Sequence, residues 1–351
     1  MKKIIIILAF IVFIFSSLVF IGFLKSRKKE KAPPLTTVEV AQPPPLPTLP
    51  EEKKQTEDSQ TLKKPYELLF DQTFIYLDLD YPWLYVYDPQ NKVIKSINLE
   101  NKKFDEIYKV SNLKDAWISE DKAKIIVLTN KGFTFIDRKK DVVYKLSPYT
   151  KNFVFTTQLW LYLNDNKNIS YLAKFQNGKI TKIRDLGILN PEFVLLKNGI
   201  LIYEKNSPLF LLEFEDPSVL KIFLDGQFFD VLTNKNKDLI FLVFRENDRW
   251  QSKIIDLSKK DKYSFSWATN KEKCSFDKVL ICALPINFNP EEWLIMNPTY
   301  DEKIIIFDPE NGSLKEINLE EKFDFVKPKL TPLGIIAWDR LSAKFYLLKL
   351  D

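Results

Sequence analysis

A turn that contains Asp or Asn follows a strand-like run about every 44 residues along this 351-residue chain. A fixed period of roughly 40–45 residues, in which each unit holds several short strands, is typical of a β-propeller. The spacing therefore predicts an all-β ring of similar units, and it says nothing about a ligand. The turn residues that mark the repeat are Asp88, Asp137, Asn177, Asp216, Asp256, Asp308 and Asp351.

One unit can be read strand by strand. Residues 115–118, 124–129, 133–137 and 142–146 are β-forming runs, and the second and third are joined by a tight turn that contains Gly132. Four antiparallel strands in sequence make one propeller blade. The runs are apolar nearly throughout, which suits sheets that are buried on both faces.

A long internal match supports the repeat. Residues 85–105 (YVYDPQNKVIKSINLENKKFD) correspond to residues 305–324 (IIFDPENGSLKEINLEEKFD), and Asp88 and Asp308 occupy the same place in the two segments. Their separation is about five units of 44 residues. The alternative is a pair of similar hairpins in an unrelated all-β protein.

The end of the chain predicts how the ring closes. The last landmark falls at the C-terminus, after the third strand of its unit at 344–350, so the last blade lacks an outer strand. Residues 66–70 precede the first complete hairpin and are expected to supply that strand, which would remove an exposed edge. We expect seven blades, with six as the rival if the first landmark shares a blade with the last.

Residues 118–128 (ISEDKAKIIVL) resemble the degenerate WD40-like, TolB-type propeller repeat, in which Ser-Pro-Asp-Gly precedes an apolar strand. Glu120 and Lys122 stand where that repeat has Pro and Gly. Similar degenerate units extend over most of 66–351. The resemblance implies a propeller fold with a binding or scaffolding role, and it transfers no catalytic residue.

The N-terminal segment predicts a membrane anchor. Residues 4–24 contain no charge and, as a helix, would span roughly 30 Å, about the thickness of the hydrocarbon core. The run is longer than a signal-peptide core and has no small-residue cleavage site, so we expect an uncleaved signal-anchor within residues 1–31. A cleaved signal peptide is the alternative.

Two observations bear on orientation. Basic residues after the span outnumber those before it, which would place the C-terminal domain in the cytoplasm. However, the short basic leader is typical of an export signal, and the only cysteines, Cys274 and Cys282, flank a predicted hairpin turn centred on Lys278. Such a pair favours a disulfide and an extracytoplasmic domain, with two buried free thiols as the alternative. Residues 273–293 also resemble uncharacterised bacterial membrane-anchored propeller proteins.

Composition separates the remaining regions. Residues 32–65 hold eight of the 20 prolines and should form an extended linker between the anchor and a propeller at 66–351.

The absence of histidine excludes His-based acid–base catalysis and His-ligated metals. Of the net charge of +5, +6 lies in residues 1–31, where it can meet acidic lipid, and −1 remains for the rest. The ring therefore has no basic surface for nucleic acid.

Few segments suggest a site. Residues 164–168 (NDNKN) alternate oxygen ligands but lack the mid-loop Gly and distal Glu of a calcium loop, so they are interpreted as a hairpin tip. Asp78 and Asp80 share one face of a strand and are expected to be solvated rather than to form an acid–base pair. No acid cluster is evident at the predicted inner-strand positions.

A 20-residue insert at 284–303 is the longest interruption of the strand pattern, and long loops on a rigid scaffold often carry function. The alternative is that it only packs across the ring. Its candidate binding residues are Phe288, Glu291, Glu292, Trp293 and Tyr300.

These observations predict an anchored envelope module that binds a protein or a glycan, without a cofactor. The alternative is a carboxylate-dependent enzyme, such as a glycan lyase, hydrolase or lactonase, with its site in the central channel.

Overall fold

The computed structural model describes residues 64–350 except 166, 168, 248 and 287–300. Within these residues the chain forms 27 β-strands and a single 3-10 helix turn, Lys271–Lys273. The strands are β1 Tyr66–Leu68, β2 Ile75–Asp80, β3 Trp83–Asp88, β4 Val93–Asn98, β5 Phe104–Lys109, β6 Leu113–Ile118, β7 Lys124–Thr129, β8 Gly132–Asp137, β9 Val142–Lys145, β10 Thr150–Phe155, β11 Leu159–Asn164, β12 Ser170–Gln176, β13 Lys179–Asp185, β14 Glu192–Leu195, β15 Gly199–Tyr203, β16 Ser207–Glu213, β17 Leu220–Thr233, β18 Leu239–Glu246, β19 Arg249–Asp256, β20 Asp261–Phe265, β21 Cys274–Phe276, β22 Leu280–Pro285, β23 Glu302–Asp308, β24 Ser313–Asn318, β25 Phe325–Thr331, β26 Gly334–Asp339 and β27 Lys344–Leu348.

The Asp and Asn landmarks owe their recurrence to turn chemistry. The Oδ1 atom of Asp88 accepts the backbone N–H groups of Gln90 and Asn91, each at 3.0 Å. Asp137 accepts those of Lys139 and Lys140 in the same way. An acidic side chain at the end of a strand thus satisfies amides that the ladder leaves unpaired.

The strands assemble into antiparallel sheets in which chain neighbours pair. Within the described residues there are five four-stranded sheets and one seven-stranded sheet. The seven-stranded sheet runs from β14 to β20, and β17 is its shared strand: its first half pairs with β16 and its second half with β18. The strands expected at 115–118, 124–129, 133–137 and 142–146 are present as β6 to β9 and form one complete sheet.

The internal match does not mark equivalent places in two sheets. Asp88 lies in the turn between the second and third strands of its sheet, whereas Asp308 lies between the third and fourth. The two similar hairpins therefore occupy positions in their sheets that differ by one strand. They share a sequence because both turns use an Asp side chain to accept backbone N–H groups. In the last sheet this role falls to Asp339, which accepts the N–H of Ser342 at 2.9 Å, and Asp351 lies outside the described residues.

The first and last strands of the described chain pair with each other, as the sequence predicted. β1 adds to the outer edge of β27, in the order β1-β27-β26-β25. The Leu69 N–H donates to the Phe345 carbonyl at 2.8 Å, and the Lys349 N–H donates to the Pro65 carbonyl at 3.0 Å. This pairing supplies the outer strand that the C-terminal segment lacks.

The core lies between neighbouring sheets. Each apolar cluster of the described residues joins one group of strands to the next along the chain, and one joins Phe345 and Leu347 of β27 to Leu79 and Leu84 of β2 and β3. The first strands of neighbouring sheets also contact one another, as β2 does with β6 and β10 with β14. Radial sheets that pack face to face and return to their starting point form a β-propeller.

The predicted anchor is not part of this description. Among the residues that the structure describes, no helix is both long enough and apolar enough to cross a membrane. Residues 4–24, most of the predicted linker at 32–65, and the candidate binding residues Phe288, Glu291, Glu292, Trp293 and Tyr300 lie outside the described residues.

Candidate functional site: the central channel

The first strands of the sheets, together with the second half of β17, surround the central channel, and several of these strands carry a polar side chain at the same place. A β-bulge interrupts β2, β6, β10 and β17, and the residue after each bulge is Asp78, Asp115, Asn152 and Asp230, respectively. An acidic or amide side chain thus recurs singly on these strands, a pattern that the sequence analysis did not identify. The recurrence was hidden because bulges break the two-residue alternation by which strand faces are recognised.

Three of these side chains have a structural role. Asp78, Asp115 and Asn152 each accept, through Oδ1, the backbone N–H of the next residue at 2.8–2.9 Å. An N–H group that the bulge removes from the ladder is thereby satisfied. This contact accounts for an Asp or Asn at the position without any ligand.

Asp230 departs from this pattern. The N–H of the next residue, Val231, donates to the Tyr203 hydroxyl at 3.3 Å instead. Asp230 Oδ2 accepts the Lys271 N–H at 3.2 Å, but Oδ1 has no hydrogen-bond donor among the described residues although the side chain is only 2% exposed. Burial raises the pKa of Asp230 to about 6, and the nearby Lys271 and Lys205 oppose that rise.

An ion pair lies beside Asp230. The Nζ atom of Lys271 is 2.5 Å from Oε2 of Glu192, and each side chain is 31% exposed. Glu192 is the first residue of β14, and Lys271 precedes β21. Both lie at the end of the channel where first strands begin, and we call the set Glu192, Asp230 and Lys271 the start mouth.

Asp115 interacts electrostatically with residues of two other elements. Burial raises the pKa of Asp115 in β6, Lys327 of β25 opposes that rise, and Glu272 adds to it. Lys327 belongs to a different sheet, and Glu272 belongs to the 3-10 helix turn that precedes β21. Among the described residues, no three His, Cys, Asp or Glu side chains lie close enough to hold a metal ion.

The β17–β18 turn, residues 234–238, crosses the opposite end of the channel. At this end the first strands finish and lead into turns. Lys237 Nζ lies 2.7 Å from Glu120 Oε1, and Lys235 Nζ lies 3.4 Å from Asp80 Oδ1. The backbone of the same turn accepts a hydrogen bond from Lys197 N–H and donates one to the Asp277 carbonyl. One turn thus contacts four other turns around the ring, and we call this set the turn mouth.

Asp78 and Asp80 are paired with a lysine. Lys122 Nζ lies 2.8 Å from Asp78 Oδ2 and 3.7 Å from Asp80 Oδ2. Both acids remain partly exposed, at 31% and 41%, and Lys122 of the β6–β7 turn lies between them. Asp277 is similarly 3.5 Å from Lys329.

A second charged cluster surrounds Glu302, the first residue of β23. Lys273 Nζ contacts both Glu302 Oε1 and Asp324 Oδ1, and all three side chains are almost completely buried. Glu302 Oε2 accepts the Phe325 N–H at 2.9 Å, and Arg340 Nε lies 3.0 Å from Asp324. Burial raises the pKa of Glu302 to about 7, with Lys273 opposing the rise. The cluster joins the sheet of β21–β24 to the closing sheet.

The cluster adjoins a backbone hydrogen bond between the two sides of the insert. The Ile286 N–H donates to the Asp301 carbonyl at 2.8 Å, and Glu302 follows directly as the first residue of β23. Sequence reasoning missed the cluster, since its members are 29 and 51 residues apart. One feature of the sequence could have indicated this buried cluster: Lys273 is a charged residue directly before the apolar cysteine hairpin.

Cys274 and Cys282 form a disulfide. They lie directly opposite each other on β21 and β22, with their Cα atoms 4.2 Å apart, and both are buried. The three-residue turn centred on Lys278 sets this register, as the spacing indicated. The hairpin lies next to the buried Lys273 cluster.

The fold has clear relatives among solved structures. An uncharacterized protein, lmo1340 from Listeria monocytogenes EGD-e, has a TM-score of 0.57 at 13% identity and covers 79% of this chain and 95% of its own. Oligogalacturonate lyase from Vibrio parahaemolyticus has a TM-score of 0.59 at 11% identity, with 80% and 92% covered. The Cps50 (Swd1) β-propeller domain of Myceliophteria thermophila has a TM-score of 0.56 at 9% identity, with 82% and 100% covered.

No protein-family model matches the chain, and the search of curated proteins gives no match. At these identities the structural likeness establishes the fold alone. The degenerate repeats seen in the sequence therefore belong to a β-propeller of the kind that WD40-like repeats build.

Proposed function

We propose that this chain is a membrane-anchored, extracytoplasmic β-propeller that binds a protein or glycan partner in the cell envelope. In this proposal residues 4–24 are the anchor, residues 32–65 the linker, and residues 66–351 the propeller. Dividing the seven-stranded sheet at β17 gives seven blades, and the register shifts on both sides of Phe228 support that division.

The pairing of the channel carboxylates carries the choice of binding over catalysis. Every acid named at the turn mouth contacts a lysine, and the β17–β18 turn crosses that mouth. A catalytic carboxylate needs a free oxygen that faces a substrate. These acids instead link blades to one another, some between neighbours and some across the ring, as expected of a scaffold.

The disulfide supports the extracytoplasmic location. Disulfides persist in oxidising compartments and are rare in the reducing cytosol. The bond between Cys274 and Cys282 is buried within a blade, which suits a structural bond rather than a transient redox pair. The charge count on either side of residues 4–24 opposes this orientation, and we give the disulfide more weight.

Crosslinking in the native envelope tests the proposal. A photoreactive amino acid replaces Trp293 in the insert, and a control chain carries it at Val143, an exposed residue of the short outer strand β9. We expect a discrete partner to be crosslinked from position 293 and not from position 143. The proposal fails if both positions give the same background and the purified propeller instead degrades an envelope glycan.

One observation favours the enzymatic alternative, a carboxylate-dependent glycan lyase, hydrolase or lactonase. Asp230 is buried, has a raised pKa and retains an oxygen without a donor, as a proton-transferring carboxylate does. If this alternative holds, Asp230→Asn abolishes turnover of envelope polysaccharide, whereas a substitution at the control position Val143 leaves that turnover unchanged.

A further inference from the structure

Among the four residues that follow a bulge, Asp230 is the one with a buried side-chain oxygen, Oδ1, that has no hydrogen-bond donor among the described residues. At Asp78, Asp115 and Asn152, the equivalent oxygen accepts the N–H of the following residue. At Asp230 the Tyr203 hydroxyl accepts that N–H, so the bulge is satisfied without the carboxylate. The acid at this position is therefore not explained by the turn chemistry that explains the other three.

Both lysines close to Asp230 have other partners. The Lys271 ammonium lies on Glu192 at 2.5 Å, and the Lys205 ammonium lies over the Phe229 ring, 4.4 Å from its centre. Among the described residues, only the backbone N–H of Lys271 donates to the carboxylate, at Oδ2. A buried anionic oxygen without a donor is unfavourable, and a donor supplied by a ligand would remove that cost.

We propose that the start mouth binds a ligand through a protonated primary amine, which donates to Asp230 Oδ1. An ammonium group carries three donors and a positive charge, so it pairs with a desolvated carboxylate more strongly than a neutral hydroxyl does. Lys271 and Glu192 form an ion pair beside Asp230 and each is about one-third exposed, so in this proposal both turn outward to admit the amine. Glu192 would then lie beside the same ammonium.

The inference rests on the proposed binding role and deepens it by naming the chemistry of one site. The two can fail separately, because the crosslinking experiment depends on the insert and does not involve Asp230. The charged and titratable groups that face Asp230 are Lys271, Lys205, Glu192 and the Tyr203 phenol.

The test measures binding of n-butylammonium to the propeller by NMR titration. Comparison ligands are n-butanol, which is neutral, and tetramethylammonium, which has the charge but no N–H donor. The matched variants are Asp230→Asn and Asp115→Asn, both in the channel and at equivalent positions. Circular dichroism melting curves confirm that each variant is folded.

We expect n-butylammonium to bind the wild-type protein and Asp115→Asn alike, and to bind Asp230→Asn about tenfold more weakly, as the loss of a charge-assisted hydrogen bond predicts. The affinity should fall as the pH decreases through about 6, because Asp230 then becomes protonated. Equal binding of n-butanol or tetramethylammonium would overturn the assignment. No saturable binding by any probe would also overturn it, and would leave a water molecule as the occupant.

Discussion

Tyr66, near the start of the described chain, lies directly opposite Leu348, near its end, in the antiparallel pair of β1 and β27. The Tyr66 ring packs edge-on against Phe323 at 5.0 Å and against Tyr346 at 6.1 Å. The ring of sheets is therefore closed by a three-residue strand that the chain supplies from its other end. The linker predicted from the sequence leads directly into this strand.

Tyr66→Ala should destabilise the propeller by about 3 kcal/mol, since it removes a buried aromatic side chain from the closing sheet. Leu68→Ala, two residues along the same strand, is a matched control because Leu68 is 43% exposed, and its effect should stay within about 0.5 kcal/mol. Urea unfolding measures both. Equal effects of the two substitutions would mean that β1 does not pack as described.

Lys273→Met should destabilise the protein by about 3–5 kcal/mol at pH 7, because it leaves Glu302 and Asp324 buried without their shared cation. Lowering the pH to 5 should restore part of this loss. The buried carboxyl of Glu302 has a folded pKa raised above its usual value, so its protonated form is favoured by folding, and that stability is present at low pH.

Lys303→Met is the matched control for Lys273. Lys303 lies on β23 and pairs with Glu316 near the surface, so its loss should cost less than about 1 kcal/mol and show little pH dependence. A Lys273→Met protein as stable as this control at pH 7 would show that the buried cluster does not hold the two sheets together.

Asp230→Asn should become progressively more stable than the wild-type protein as the pH rises from 4 to 7. The folded pKa of Asp230 is raised from 3.8 to about 6, so ionisation of the buried group reduces the stability of the wild-type fold across that window. The gain should reach about 2 kcal/mol above pH 6.5, on the order expected for such a shift. Urea unfolding at several pH values measures the difference. Parallel stability curves for the two proteins would contradict the burial of this charge.

Contacts close in sequence were predictable, whereas most contacts between distant strands were not, and the closing pair of β1 and β27 is the exception. The cysteine pair followed from its eight-residue spacing, and the strands β6 to β9 followed from apolar runs and turn residues. The closing strand followed from counting strands at the C-terminus. The first two inferences used only local chemistry, and the third used the number of strands in a repeated unit.

The continuous strand β17 was missed, because Asp225 and Gly226 have the composition of a turn. Gly226 indeed has a φ of 142°, which few other residues adopt, yet the chain continues through it as one strand. The start mouth was missed for a related reason: Glu192, Asp230 and Lys271 come from three separate elements that only the ring brings together. A sequence pattern within one segment cannot predict that residues from three separate elements lie close together.

The proposed sidedness can be tested in intact cells. If the propeller is extracytoplasmic, external protease should release a fragment of roughly 290 residues, since the Pro-rich linker has the composition of an extended, cleavable segment. A membrane-impermeant maleimide should label Cys274 and Cys282 only after reduction and denaturation. Survival of the full-length chain until lysis would place the propeller in the cytoplasm and agree with the charge count.

Ring closure by the N-terminal strand underlies the whole account, and one disulfide trap tests it most directly. Leu68 and Tyr346 lie opposite each other on β1 and β27, and both are replaced by cysteine in a chain whose native cysteines are changed to alanine. Oxidation should give a monomer with an intramolecular crosslink and altered mobility in a non-reducing gel. A chain that stays uncrosslinked, or one that crosslinks only to a second copy, would contradict the closed ring.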